Sequence, residues 1–148
     1  MKNNFMELTF PSRSINEGLA RTCVASFCLQ LNPSVDELTD IKTAVSEAVT
    51  NCVVHAYGRT GGMVKLRCEL DGDSVTIEIS DEGVGIKDIA RAREPFFTTK
   101  PGEERSGMGF SVMEAFMDNV NVESNNGRGL KVTMTKHIQR QRAVGENA

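Results

Sequence analysis

The stretch SVDELTDIKTAVSEAVTNCVVHAYG, residues 34–58, is the part of the chain that decides the fold. Ser34 is a favoured N-cap residue, and Glu37 three positions later completes a capping box. Apolar residues then recur at intervals of three and four, the spacing of one buried helix face. The pattern predicts a helix that begins after Ser34, runs to about Tyr57 and packs against a core. Its apolar stripe consists of Leu38, Ile41, Val45, Val49, Cys52, Val53 and Ala56.

A polar row lies on the same helix, away from the apolar stripe. Glu47, Asn51 and His55 are spaced four residues apart, so they lie one above another on the helix surface. The helix alone leaves two interpretations open. The row is either the wet face of an amphipathic helix, which needs no function, or a set of side chains that meets a ligand.

The other predicted elements are shorter and alternate with glycine-rich turns and loops. In chain order they are an edge strand in FMELTFPS, a helix from about Ile15 to Leu31, two strands in GGMVKLRCELDGDSVTIEISD joined at Asp71-Gly72, a turn and short helix in EGVGIKDIARARE, a long loop PFFTTKPGEERSGMGF, a helix of about Gly109 to Met117, strands near Asn119 to Glu123 and Leu130 to Lys136, and a polar tail. This order predicts an α+β two-layer sandwich with helices on one face of a mixed sheet. Residues 1–148 are expected to form one domain, because the sequence contains no repeat or linker.

Composition narrows the class of partner. The 148 residues carry a net charge of -3 and no Lys/Arg cluster, which argues against direct nucleic-acid or membrane binding and favours proteins or small molecules. The opening MKNNFMELTF lacks the apolar core of a secretory signal, so a cytoplasmic location is expected. The four cysteines form no CxxC pair and are interpreted as free thiols rather than bridges or a zinc site.

Two glycine-containing segments outside the helix suggest a binding site. In DEGVG, Asp81 ends a strand, and Gly83 and Gly85 let a flat ring approach the backbone while the carboxylate accepts a hydrogen bond. In RSGMGF, Gly107 and Gly109 precede a helix whose free N–H groups suit phosphate. Each segment alone is better explained as an ordinary turn. Neither is a Walker loop or a complete G-x-G-x-x-G.

Taken together, these motifs resemble a known family. ExxxN on a helix, DxGxG after a strand and TTK…SGMG before a helix are similar in order and rough spacing to the GHKL ATP-binding fold of gyrase, Hsp90, MutL and histidine kinases. The segments NEGLAR, DELTDIKTAVSEAVTN, DEGVGI, PFFTTKP and ERSGMGF resemble the anti-sigma-F family of spore-forming bacteria, which are protein serine kinases. The resemblance extends over nearly the whole chain.

The resemblance implies specific roles for the polar row. The asparagine matching Asn51 ligates Mg2+ at the phosphates of ATP or ADP, and the carboxylate matching Glu47 orients or deprotonates the attacking nucleophile. Asp81 matches the residue that binds the adenine amino group, with Gly83 and Gly85 beside the ring. The residues implied to wrap the phosphates are Thr98, Thr99, Lys100, Arg105, Ser106, Gly107, Met108 and Gly109.

The late strand departs from the family pattern. The family commonly has a Gly-Thr pair whose threonine helps to bind adenine through water, but here Leu130 follows Gly129. Thr133, three residues farther along, is the predicted substitute. His55 lies inside the ATP-site helix, so it is expected to support the structure rather than to accept phosphate.

The function implied by the resemblance is twofold. The chain is expected to sequester an RNA polymerase sigma factor and to phosphorylate a serine on an anti-anti-sigma factor, as a homodimer that uses Mg-ATP. Arg21, in the NEGLAR helix, is the predicted contact to both partners, although a solvated helix arginine is the plain alternative. Two other functions stay open: a related general-stress anti-sigma kinase, and a binding module that holds nucleotide without transferring phosphate. The intact Glu47 argues against the module.

Overall fold

The computed structural model describes residues 3–57, 62–81, 109–124 and 129–139. Within these ranges every predicted helix and strand is confirmed, with ends that differ by a few residues. The elements are β1 (Asn4–Pro11), α1 (Asn16–Cys28) with a following 3-10 turn (Leu29–Leu31), α2 (Val35–Asn51) with a π-helical extension (Cys52–Tyr57), β2 (Met63–Asp71), β3 (Ser74–Asp81), α3 (Gly109–Phe116), β4 (Asn119–Ser124) and β5 (Leu130–His137). The predicted helix in EGVGIKDIARARE, most of the long loop and the polar tail lie outside the described residues.

The central helix begins as its sequence predicts. The Ser34 hydroxyl accepts from the Glu37 backbone N–H at 3.0 Å, and Glu37 Oε1 accepts from the Ser34 N–H at 2.8 Å. The predicted length to Tyr57 is also confirmed, but the last turns are π-helical rather than α-helical. Such wide turns occur frequently at functional sites, and this one begins directly after Asn51.

The described strands form one five-stranded sheet in the order β1-β2-β3-β5-β4. Every described pairing is antiparallel, so the prediction of a mixed sheet is wrong. The reason is the number of helices between β1 and β2. A single crossover helix returns the chain to its starting end and gives a parallel neighbour, whereas α1 and α2 together bring it back to the end where β1 finished.

The β2–β3 hairpin turns at Gly72 and Asp73, one residue later than the predicted centre. Gly72 has a φ of 60° in the first central position, which is typical of a type II′ hairpin turn. β1 lies at an edge of the sheet, as predicted from Pro11 at its end.

The core lies between the helices and one face of the sheet. Inward side chains alternate with half-exposed polar ones along β2, β3 and β5. The far end of β5 is tied to the helical layer. Lys136 Nζ donates to the Phe116 carbonyl at 2.7 Å, and the Gln139 N–H donates to Glu37 Oε2 at 2.8 Å. The sheet and α2 are therefore held in a fixed relation, which fixes the site between them.

Candidate functional site

The polar row on α2 is partly buried, which the wet-face interpretation does not explain. Glu47 is half-buried, and Asn51 is only 6% exposed. Asn51 Nδ2 has no hydrogen-bond partner among the described residues. An unsatisfied buried amide costs about 1–3 kcal/mol, so a position of this kind needs an explanation such as a polar ligand. The side chain of His55 lies outside the description.

The first residue of α3 lies against this row. A Cβ placed on Gly109 would be 3.2 Å from Asn51 Oδ1, 3.3 Å from Asn51 Nδ2 and 3.4 Å from Glu47 Oε2. These distances are short for carbon contacts, so glycine is what allows α3 to approach so closely. The first N–H groups of a helix have no partner within the helix, and its amino end carries a partial positive charge. A phosphate at that end would lie beside Asn51 and Glu47.

Asp81 forms the other end of the site. It is the last residue of β3, points to the helix-covered face and is only 7% exposed. The register places it opposite Val64 on one side and Leu130 on the other, and both are apolar and buried. A buried carboxylate among apolar neighbours is a strong acceptor for a donor that enters the site.

Cys52 connects the two ends. It follows Asn51 in the chain and is buried. Burial raises the pKa of the Cys52 thiol well above its usual range, and the nearby Asp81 carboxylate raises it further. The thiol therefore remains protonated. Sequence reasoning assigned Cys52 to the core alone, because its proximity to Asp81 depends on how α2 docks on the sheet.

Thr133 does not belong to this site. It pairs with Glu78 on β3, three residues from Asp81, so the two side chains lie on opposite faces of the sheet. The prediction that Thr133 compensates for Leu130 is contradicted by this register. The residue on β5 that lies beside Asp81 is Leu130, which brings no hydroxyl.

Arg21 is held at the α1–α2 contact. Its guanidinium donates to Glu17 Oε1 at 2.8 Å and to the Ser46 hydroxyl at 3.3 Å, while the side chain remains 38% exposed. Ser46 precedes Glu47, so Arg21 lies one residue along α2 from the polar row. A partly exposed cation held in this way is suited to a partner surface adjoining the site.

The remaining predicted site residues lie outside the described part of the chain. They are Gly83, Gly85, Thr98, Thr99, Lys100, Arg105, Ser106, Gly107 and Met108. All four cysteines are free thiols. The described residues contain no cluster of three or more His, Cys, Asp or Glu side chains suited to a metal. In the same part of the chain, no helix is both long enough and apolar enough to cross a bilayer.

Comparison with known proteins gives consistent matches. The model of the histidine kinase-like ATPase domain matches residues 10–136. An anti-sigma F factor from Caldanaerobacter subterraneus subsp. tengcongensis is 54% identical over 95% of this chain and 98% of its own length. One from Thermoanaerobacter sp. is also 54% identical, over 91% and 94%. The solved RsbU and RsbW domains of Rv1364c from Mycobacterium tuberculosis superpose with a TM-score of 0.67 at 18% identity, over 93% of this chain and 33% of that one.

Proposed function

The chain belongs to the anti-sigma F factor family of histidine kinase-like ATPase domains, and from this premise we propose that it sequesters a sporulation sigma factor and uses Mg-ATP to phosphorylate a serine of an anti-anti-sigma factor. The observation that carries the proposal is the approach of Gly109 to Asn51 and Glu47. It joins an amide, a carboxylate and a helix amino end at one point. These are the groups that metal binding, nucleophile activation and phosphate binding require.

The residues present fit a magnesium nucleotide. Asn51 supplies a neutral oxygen donor, and its buried amide gains the polar partner that the described residues do not provide. One protein ligand suits Mg2+, which usually keeps several waters and binds through substrate phosphates. When bound, Mg2+ would offset the negative charge that the phosphates bring. At the other end of the site, Asp81 accepts a hydrogen bond from the amino group of adenine.

Glu47 is the proposed base. It lies one helical turn before Asn51, so its carboxylate reaches the same region as the metal ligand. Its task is to orient the acceptor serine and to take the proton of the hydroxyl as the oxygen attacks the γ-phosphorus, while the bond from that phosphorus to ADP breaks and ADP leaves. The amino end of α3, next to Glu47 Oε2, holds the phosphate in place for that attack.

The partner surface is proposed to adjoin this site. Arg21 reaches α2 at Ser46, beside the proposed base, and keeps an exposed part that a sigma factor or the antagonist can contact. We further propose that residues 1–148 act as one domain in a cytoplasmic homodimer.

The proposal is tested by mixing purified protein with γ-labelled ATP, Mg2+ and an anti-anti-sigma factor, and then locating the label. Phosphoserine on the antagonist is the expected result. A reaction on a general-stress antagonist alone would change the partners but keep the chemistry. Phosphohistidine would indicate a histidine kinase, and binding without transfer would indicate a nucleotide-holding module. Sigma binding is measured separately, by retention of the sigma factor on the immobilised chain.

A further inference from the structure

Arg21 uses a single nitrogen for its contacts with the described part of the chain. Nη1 donates to Glu17 Oε1 at 2.8 Å and to the Ser46 hydroxyl at 3.3 Å, so both of its N–H groups are engaged. Among the residues that the structure describes, no hydrogen bond reaches Nε or Nη2. These two nitrogens form the opposite edge of the planar guanidinium, and their parallel N–H groups match a carboxylate. The side chain is 38% exposed, which leaves room for a partner to contact that edge.

The two acceptors restrain the guanidinium in different ways. Glu17 lies one turn before Arg21 on α1, and a partly exposed ion pair of this kind restrains a long side chain only weakly. Ser46 lies on α2, 25 positions away in the sequence. Because Nη1 must point at acceptors on two helices at once, the plane of the guanidinium can no longer rotate freely. The Ser46 contact therefore fixes the direction in which the opposite edge points.

We propose that Ser46 is a positioning residue for Arg21, which presents its Nε–Nη2 edge to the partner protein. The inference rests on the proposed role of Arg21 as a partner contact. Without the Ser46 hydroxyl, the guanidinium can turn about its Glu17 contact, and a partner would have to order it again at the expense of affinity. The effect should appear in partner affinity and not in ATP affinity, because Asn51 and Asp81 are not altered.

The test measures the affinity of the full-length chain for the sigma factor by calorimetry and compares Ser46→Ala with Ser46→Thr. Alanine suits a half-buried helix position, so the first variant should fold. It should bind the sigma factor roughly threefold to tenfold more weakly, the range expected for one hydrogen bond, with unchanged ATP affinity. Ser46→Thr keeps the hydroxyl acceptor and should restore the affinity. Equal loss in both variants would overturn the proposal, as would weaker ATP binding in Ser46→Ala.

The matched control is Thr43→Ala, which removes a hydroxyl from α2 three residues before Ser46. The Thr43 hydroxyl donates to the Thr39 carbonyl at 2.9 Å, within its own helix. Thr43→Ala should therefore leave sigma affinity unchanged. A similar loss in Thr43→Ala and Ser46→Ala would show that any lost hydroxyl on this helix has the same effect, and the positioning of Arg21 would be refuted.

Variants of Arg21 separate this inference from the proposed function. If Ser46 acts through Arg21, Ser46→Ala has no further effect on sigma affinity in an Arg21→Ala background. A full additional loss there would refute the positioning role and leave Arg21 as a partner contact. Arg21→Lys keeps the charge but lacks the two parallel N–H groups, so wild-type affinity in that variant would also refute the role. Unchanged sigma affinity in Arg21→Ala would instead remove Arg21 from the interface, and its proposed partner role and this inference would fail together.

Discussion

Replacing Gly109 with alanine should leave the protein folded while impairing its reaction. Gly109 begins α3 and has no positive φ, so its backbone accepts an alanine. In a helix interior, alanine is more stable than glycine by about 0.5–1 kcal/mol, and a smaller gain is expected in the first turn. Helix propensity alone therefore favours Gly109→Ala.

The new methyl group meets the polar row. At 3.2 Å and 3.3 Å from the Asn51 amide atoms and 3.4 Å from Glu47 Oε2, it requires these side chains or α3 to move by a few tenths of an ångström. A misplacement of about 1 Å at a reacting centre costs roughly a hundredfold in rate. We therefore expect a loss of about tenfold in phosphate transfer, together with weaker Mg-ATP binding.

Thermal unfolding and phosphate transfer to the antagonist, measured on the same preparation, test this expectation. Gly18→Ala is the matched control, because a Cβ there meets only the end of the Arg21 side chain, at an ordinary 3.6 Å. It should leave ATP binding unchanged. A Gly109→Ala protein with wild-type transfer and ATP affinity would show that the approach of α3 to α2 is packing and not part of a phosphate site.

Three further changes probe other parts of the molecule. Glu47→Ala should retain Mg-ATP and sigma binding but transfer phosphate about a hundredfold to ten-thousandfold more slowly, which single-turnover assays would measure. A normal transfer rate would show that Glu47 is an ordinary residue of the helix surface. Arg21→Glu should weaken retention of the sigma factor and leave calorimetric ATP affinity intact, and unaffected sigma retention would place the interface elsewhere. Burial raises the pKa of Glu37, but hydrogen bonds such as that from the Gln139 N–H outweigh it and hold the pKa below its ordinary value. The stability that Glu37 contributes is therefore present above the unfolded-state pKa of about 4.3, and it is lost as the pH falls through the lower folded-state pKa. Glu37→Gln should flatten this acid limb of stability, measured by denaturant unfolding across the acid pH range, and an unchanged acid limb would show that Glu37 does not cause it.

Local sequence rules predicted the elements because local interactions decide them. The Ser34–Glu37 capping box and the Gly72 turn depend on residues within four positions of one another, and both are present. The antiparallel sheet was also within reach of the sequence, since two helices separate the first two strands. The two helices between β1 and β2 favour an antiparallel pair, so the prediction of a mixed sheet did not follow from the order of the elements.

The site was only partly predictable, because its contacts join distant segments. Spacing places Glu47 and Asn51 in one row and the family resemblance implies their roles, but their proximity to Gly109 depends on the docking of α3. The sequence alone does not show on which face of the sheet Thr133 lies, because that depends on the β3–β5 register. That register pairs Asp81 with Leu130 and leaves Thr133 on the other side. A shift of one residue would have reversed the result.

Two residues that each carry a cost in stability lie together at one point of this fold, and their proximity supports the proposed site without reference to any relative. Asn51 buries an amide that has no partner among the described residues, where an apolar side chain on the same helix would avoid the cost. By helix propensity alone, alanine would be more favourable than glycine at position 109. Each choice alone has several explanations. Because a Cβ on Gly109 would lie 3.2 Å from the Asn51 oxygen, the two choices have one explanation in common, which is the close approach of the amino end of α3 to the polar atoms of α2. A group that binds beside this contact must be polar enough to satisfy the Asn51 amide and suited to a helix amino end, and a phosphate with its metal ion has both properties.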